Sequence, residues 1–241
     1  EFVEKEKPEY IINCAAFTAV DKAEECYDLA EKINAEGPKN LALAAEKVDA
    51  TLVHISTDYV FDGDLDISKS YTEQDKTAPV TVYGITKRHG EEKVEQNCKK
   101  YYIFRTAWLY GDGNNFVRTM LKLGKEKEEV SVVNDQHGSP TYSVDLASII
   151  YQAIEKKIPY GIYHATNQRF TTWYELTKKI YEMENLSCKV KPVTSEEFVR
   201  PAKRPKNSML NKEKLLTQGI QIPSWEDAVE RYLKEEKTRA K

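Results

Sequence analysis

No apolar run in this chain approaches the roughly 18 residues that a membrane-crossing helix needs, and no basic, apolar leader is visible at its start. Charge of one sign is scarce as well. The 36 Lys and Arg nearly balance the 39 Asp and Glu, leaving a net charge of −3, and no basic block exceeds a short Lys run. Nucleic acid and anionic membrane are therefore not expected as main partners. The four cysteines, Cys14, Cys26, Cys98 and Cys188, form no C-x-x-C pair, so reduced thiols in a cytoplasmic protein are expected. The four histidines show no ligand spacing, and no metal site is expected. Glycine is sparse too: the ten residues contain no G-x-x-G-x-x-G.

What is present suits a packed core. The 241 residues are 40% apolar and 31% charged, enough for one large domain or one and a half small ones. Short apolar runs read as buried strands at "YIINCAA" (10–16), "ATLVHISTDYVF" (50–61), "YYIFRTAWLY" (101–110) and "VSVVND" (130–135), with a shorter one at "GIYHAT" (161–166). Helical stretches alternate with them. One covers 20–48 with a break expected near Gly37-Pro38, one carries Tyr83, and others follow at 114–126 and 143–157. The opening "EFVEKEKPEY" resembles the last turn of a helix already under way. Strand–helix alternation predicts an α/β fold with a doubly wound parallel sheet, and such sheets bind ligands beyond the carboxyl ends of their strands. From Thr171 the pattern changes to helices, prolines and one strand candidate, "CKVKPVTS", expected to form a smaller region that closes over the site. The division expected is 1–135 for a cofactor domain and 136–241 mainly for substrate, with 143–165 packing back on the sheet.

The chemistry concentrates at two places. "HISTDYVFDG" ends a strand with Ser56, Thr57 and Asp58, and Tyr83 precedes Lys87 by four residues, one helical turn. Alone, the hydroxyls could cap a turn and the Tyr–Lys pair could be solvated. Together they can surround one carbonyl. A hydroxyl donates to its oxygen, a phenol supplies the proton, and an ammonium lowers the phenol's pKa from about 10. "DGDLDISKSYTE" (62–73) echoes an EF-hand loop, but Ile67 stands where glycine is required, so an acidic solvated loop is expected.

These residues, with "FTAVDKAE" (17–24), "VYGITKRHGE" (82–91), "FRTAWLYG" (104–111), "GNNFVRTML" (113–121), "NDQHGSPT" (134–141) and "RPKNSML" (204–210), make the chain resemble the extended short-chain dehydrogenase/reductases. Within them it looks like the dTDP-4-dehydrorhamnose reductase branch. The resemblance implies a Rossmann-like sheet and reduction by NADPH or NADH of a dTDP-linked 4-keto-6-deoxy sugar. It implies Thr57, Tyr83 and Lys87 as the catalytic set. Ala15, Ala16, Ser56, Tyr83 and Lys87 would meet the cofactor. Thr18, Val20, Asp58, Tyr59 and Trp108 would meet the sugar, and Arg204 and Asn207 the diphosphate. Trp108 also reads as a plain core aromatic. A homodimer is left open.

The superfamily holds the cofactor pyrophosphate on a Gly-rich turn after its first strand, and nothing before Tyr10 contains one. The expectation is a sheet lacking its N-terminal strands, in a fragment or a natural remnant that binds the cofactor poorly. Two other readings compete. One is a sugar-nucleotide epimerase or dehydratase, disfavoured because no Glu follows Asp58. The other is a non-catalytic homologue resembling the regulatory subunit of methionine adenosyltransferase, disfavoured by the intact Thr57, Tyr83 and Lys87.

Overall fold

The computed structural model describes residues 1–239. A single turn, α1 (Phe2–Glu6), leads into β1 (Tyr10–Asn13), followed by α2 (Val20–Ala23), α3 (Tyr27–Glu31), a π-helical turn (Lys32–Glu36) and α4 (Gly37–Val48). Next come β2 (Thr51–Thr57), a 3-10 turn (Asp58–Val60), a long loop, α5 (Val82–Asn97) and β3 (Tyr101–Thr106). Then follow β4 (Leu109–Tyr110), α6 (Phe116–Glu126), β5 (Glu129–Val133), β6 (His137–Gly138), β7 (Thr141–Tyr142), α7 (Ser143–Glu155) and β8 (Gly161–His164). The remainder holds β9 (Thr171–Thr172), α8 (Trp173–Met183), β10 (Lys189–Val193), α9 (Glu213–Leu216) and α10 (Trp225–Arg239).

The main sheet has the order β1-β2-β3-β8, and every pair in it is parallel. β2 and β3 are buried almost throughout because helices cover both faces, which is why their sequences read as continuous apolar runs rather than alternating ones. On one face Ala42 and Ala45 of α4 and Val94 of α5 pack against Leu52 and Ile103. On the other, Leu146, Ile149 and Ile150 of α7 and Leu215 of α9 pack against Val53 and Phe104. β1 pairs with β2, and its Ile12 is 52% exposed.

Two expectations are corrected. "VSVVND" does form a strand, β5, but it pairs with β10 in a separate two-stranded sheet, not with the main one. Its alternating burial fits a sheet covered on one side, by α6 and α8. The helical stretch 20–48 does not break at Gly37-Pro38. Pro38 sits in the first turn of α4, where its missing N–H is not needed. The break lies further upstream, at Glu24–Cys26, where Cys26 takes φ −130° and ψ 47°, and a π-turn follows at Lys32–Glu36. That turn carries the buried Asn34, whose amide bonds Phe17 N–H and C=O and the hydroxyl of Thr86.

Helix α5 is fixed by an interior ion pair. Arg105 of β3 donates from Nε and Nη2 to the two carboxylate oxygens of Glu91, at 2.9 and 2.7 Å, and both side chains are buried. Arg88 adds a third donor at 3.1 Å. Removing one member of such a pair strands the other charge in a medium that cannot solvate it. Glu91→Ala is therefore expected to lower unfolding free energy by about 3–5 kcal/mol in urea titrations. A loss below about 1 kcal/mol would show that the guanidinium finds other solvation and that the pair does not hold α5.

Candidate active site

Thr81 starts α5 by accepting from Gly84 N–H, and the next residues, Val82 and Tyr83, open the helix at the end of β2. The approach is close. A Cβ on Gly84 would lie 2.2 Å from the Tyr59 carbonyl oxygen, and one on Gly90 would lie 2.1 Å from that of Asn34. With any side chain at either position α5 would have to move outward.

The fold brings Thr57, Asp58, Tyr59 and Tyr83 together. The Thr57 hydroxyl donates to Asp58 Oδ1 at 2.9 Å and accepts from Tyr59 N–H at 3.3 Å. The rings of Tyr59 and Tyr83 meet edge to face, with centroids 5.5 Å apart. Burial pushes the Tyr83 phenol up to about 12, opposed by a hydrogen bond with Thr57 and reinforced by the charge of Asp58. The expected lowering of this phenol by Lys87 is not found. Lys87 Nζ donates to the Ile55 carbonyl at 2.6 Å and lies 3.5 Å from His54 Nε2. Burial brings Lys87 itself down to about 8, with Glu91 pulling the other way. The reason is desolvation, which disfavours whichever form carries charge.

Ser56 is buried, and its Oγ has no hydrogen-bond partner among the described residues. Ala15 and Ala16 follow β1, the first exposed and the second half-buried, next to the strand that carries Ser56. Small side chains, an unpartnered hydroxyl and the Lys87 amine at neighbouring strand ends suit the nicotinamide end of a dinucleotide. Among the described residues no Gly-rich turn follows β1 to take the pyrophosphate. No group of three His, Cys, Asp or Glu is placed to hold a metal ion among the described residues, and no helix is long and apolar enough to cross a membrane.

Beside this cluster opens a cavity of ≈ 570 Å³, lined by Tyr59, Trp108, Trp173, Phe116, Arg200 and Arg204 among others. Trp108 stacks on Trp173 with centroids 3.7 Å apart, and its backbone is held at φ +48°. A left-handed conformation is strained for a bulky residue, so surrounding contacts must fix it. Arg204 reaches the cavity but is tied to Asp21 Oδ2 at 2.8 Å and to the Ala202 carbonyl at 3.1 Å. Thr18 is exposed on the loop before α2, and Val20 begins α2, one residue before the cavity-lining Asp21.

Asn207 is a correction. It is fully buried, its Nδ2 donates to the carbonyls of Leu65, Asp66 and Lys69, and its Oδ1 accepts from Met209 N–H. The amide is consumed in pinning the 62–73 loop and has nothing left for a diphosphate. Conversely, sequence reasoning gave no role to Asn13, Asn34, His54, Gly84, Gly90, Phe116 or Trp173. A histidine inside an otherwise apolar strand was a signal for one of them.

The RmlD substrate binding domain model matches residues 1–238. The dTDP-4-dehydrorhamnose reductase of Escherichia coli K12 is 42% identical over 98% of this chain and 82% of its own length. The crystal structure of a dTDP-4-dehydrorhamnose reductase from Clostridium acetobutylicum is 50% identical with a TM-score of 0.95, covering 98% of this chain and 84% of that one. The Bacillus anthracis structure, a complex with NADP, is 47% identical with a TM-score of 0.92, over 97% and 83% of the two chains.

Asp58 gives a pH test. Burial raises its carboxyl to about 7, against hydrogen bonds from Thr57 and others. An unfolded Asp titrates near ~3.9, so between those values the folded state binds the extra proton. The stability this contributes is complete below about pH 4 and is lost as pH rises through about 7. Asp58→Asn has no proton to lose. Relative to wild type it should gain on the order of 2–4 kcal/mol between pH 4 and pH 8, read from denaturant midpoints at each pH. Parallel pH profiles for the two proteins would mean that Asp58 is ionised throughout.

Proposed function

The chain belongs to the RmlD substrate binding domain family, and from that membership we propose that it reduces the 4-keto group of dTDP-4-dehydro-L-rhamnose to dTDP-L-rhamnose with NADPH or NADH. The observation that carries the reading is a half-buried phenol, raised to about 12, beside a strand-end hydroxyl and next to an aromatic cavity with two arginines on its wall.

Ala15, Ala16, Ser56 and Lys87 would hold the nicotinamide end of the cofactor, which when bound supplies the hydride. The chain's own residues handle the oxygen. A phenol raised to about 12 keeps its proton at neutral pH and yields it only as negative charge grows on a neighbouring oxygen. Thr57 adds a hydroxyl donor once it turns from Asp58 Oδ1 to the substrate oxygen. Tyr59 and Asp58, with Thr18 before α2 and Val20 at its start, would surround the sugar.

The nucleotide end would occupy the cavity. Trp108, held against Trp173, offers a flat apolar surface, and Arg200 and Arg204 offer guanidinium groups to the diphosphate. Arg204 would then trade part of its pairing with Asp21 for the ligand. This assigns the chemistry to residues 1–135 and shares the substrate between that part and 136–241, which supplies Trp173, Arg200 and Arg204, with 143–165 returning to the sheet through α7 and β8.

The reaction is followed as loss of nicotinamide absorbance with dTDP-4-dehydro-L-rhamnose as substrate. Tyr83→Phe should cut kcat by about 10²–10⁴-fold, since a general acid acts on the transition state. Affinity for the sugar nucleotide, measured calorimetrically, should stay within about threefold, because the lost proton matters little to the ground state. A variant that kept more than about a third of wild-type kcat would remove Tyr83 from the acid's role.

A further inference from the structure

Asn13 ends β1 and stands beside His54 of β2 in the sheet register. The backbone tells its two amide atoms apart. Oδ1 accepts from Ala15 N–H at 3.1 Å, which leaves Nδ2 facing His54 Nδ1 at 3.0 Å. An amide nitrogen only donates, so Nδ1 must accept, and the ring proton resides on Nε2. Nε2 lies 3.5 Å from Lys87 Nζ. An N–H pointed at an ammonium sets donor against donor, whereas pointed at an amine it meets a lone pair.

We propose that His54, its tautomer set by Asn13, is a positioning residue that turns an N–H toward Lys87 and so favours the neutral amine there. This rests on the proposed reaction only for the part Lys87 plays in turnover.

The other groups around Lys87 leave His54 room to act. The Ile55 carbonyl accepts equally from amine or ammonium. Glu91, four residues further along α5, favours the ammonium but is already bonded to Arg105 of β3 and to Arg88. Asp58 of the 3-10 turn bears on Tyr83. Glu31 of α3 faces His89, Glu24 beyond α2 accepts from Val82 N–H, and Glu36 before α4 pairs with Lys93. Asn34 of the π-turn is neutral and bonded to Thr86. His54 is buried, and burial followed by the charge of Lys87 keeps it well below the ordinary imidazole range. A neutral ring therefore faces Lys87 at working pH. A lysine so balanced changes charge when a neighbour does, while one of ordinary basicity stays cationic throughout.

The tautomer can be read in the wild-type protein from imidazole ¹⁵N shifts, with His54 assigned by its loss in His54→Phe. The expected result is a proton on Nε2 and no imidazolium between pH 6 and 9. A proton on Nδ1 overturns the proposal, even if no variant folds. The second measurement is the Lys87 ¹³Cε titration. Asn13→Asp replaces the donor with an acceptor, so Nδ1 takes the proton and a bare Nε2 faces the amine. The Lys87 midpoint should rise by at least about one pH unit, a tenfold change in proton affinity. The same substitution in His54→Phe separates the ring from the new charge, and should move Lys87 by less than a third as much. Equal shifts in both backgrounds, or no shift in either, also overturn it. None of these readouts needs cofactor or substrate, so a wrong sugar assignment leaves them unchanged, and a wrong tautomer leaves the effect of Tyr83→Phe unchanged.

Discussion

Helix α5 lies against the 3-10 turn after β2 and against the π-turn at a distance that only a bare backbone permits. Gly84 and Gly90 are the two contact points, one against the Tyr59 carbonyl and the other against that of Asn34. Tyr83 precedes the first, and Lys87 lies midway between them. Any side chain at either glycine would lift the helix and carry the phenol and the amine away from Thr57 and Ile55. The rest of the structure serves this contact. The π-turn delivers Asn34 to its place, the Glu91–Arg105 pair locks the helix to β3, and the Thr81 cap fixes where the helix begins.

Close packing leaves Lys87, Asp58 and His54 buried and Tyr83 partly so, and that burial sets the electrostatics. Burial is the leading influence on Tyr83, Lys87, Asp58 and His54, and in each case it favours the uncharged form. The pairwise interactions act within that frame. A phenol in such a place is a stable acid until charge appears beside it, which suits a donor that should act only as an alkoxide forms. The ionic contact between two buried side chains, Glu91 with Arg105, is made bidentate.

Much of this was legible in the sequence because it is local. Four residues separate one helical turn from the next, so Tyr83 and Lys87 announced a shared face. Apolar runs announced β2 and β3 because a doubly covered sheet needs nothing else from them. What was not legible depends on partners far along the chain. β5 pairs with β10, Trp108 stacks on Trp173, and Asn13 orients His54. Asn207 misled because its motif matched while its amide is spent on three loop carbonyls. The direction of the Tyr83 shift misled because residue spacing carries no information about burial.

The cavity and the Thr57–Tyr83 cluster are adjacent but distinct, and that separation is useful. Tyr59 belongs to both, since its ring touches Tyr83 and also lines the cavity. The Asp21–Arg204 pair joins α2 to the segment after β10. A ligand anchored by stacking and ionic contacts in the cavity would present its other end at Tyr83. Contacts far from the reacting carbon can then fix its orientation, so binding energy is converted into position. The strained backbone of Trp108 fits this division: its surroundings hold the ring flat against Trp173 before any ligand arrives. The residues proposed for proton transfer could therefore remain few, because a large ligand would be selected and aligned by a surface apart from them.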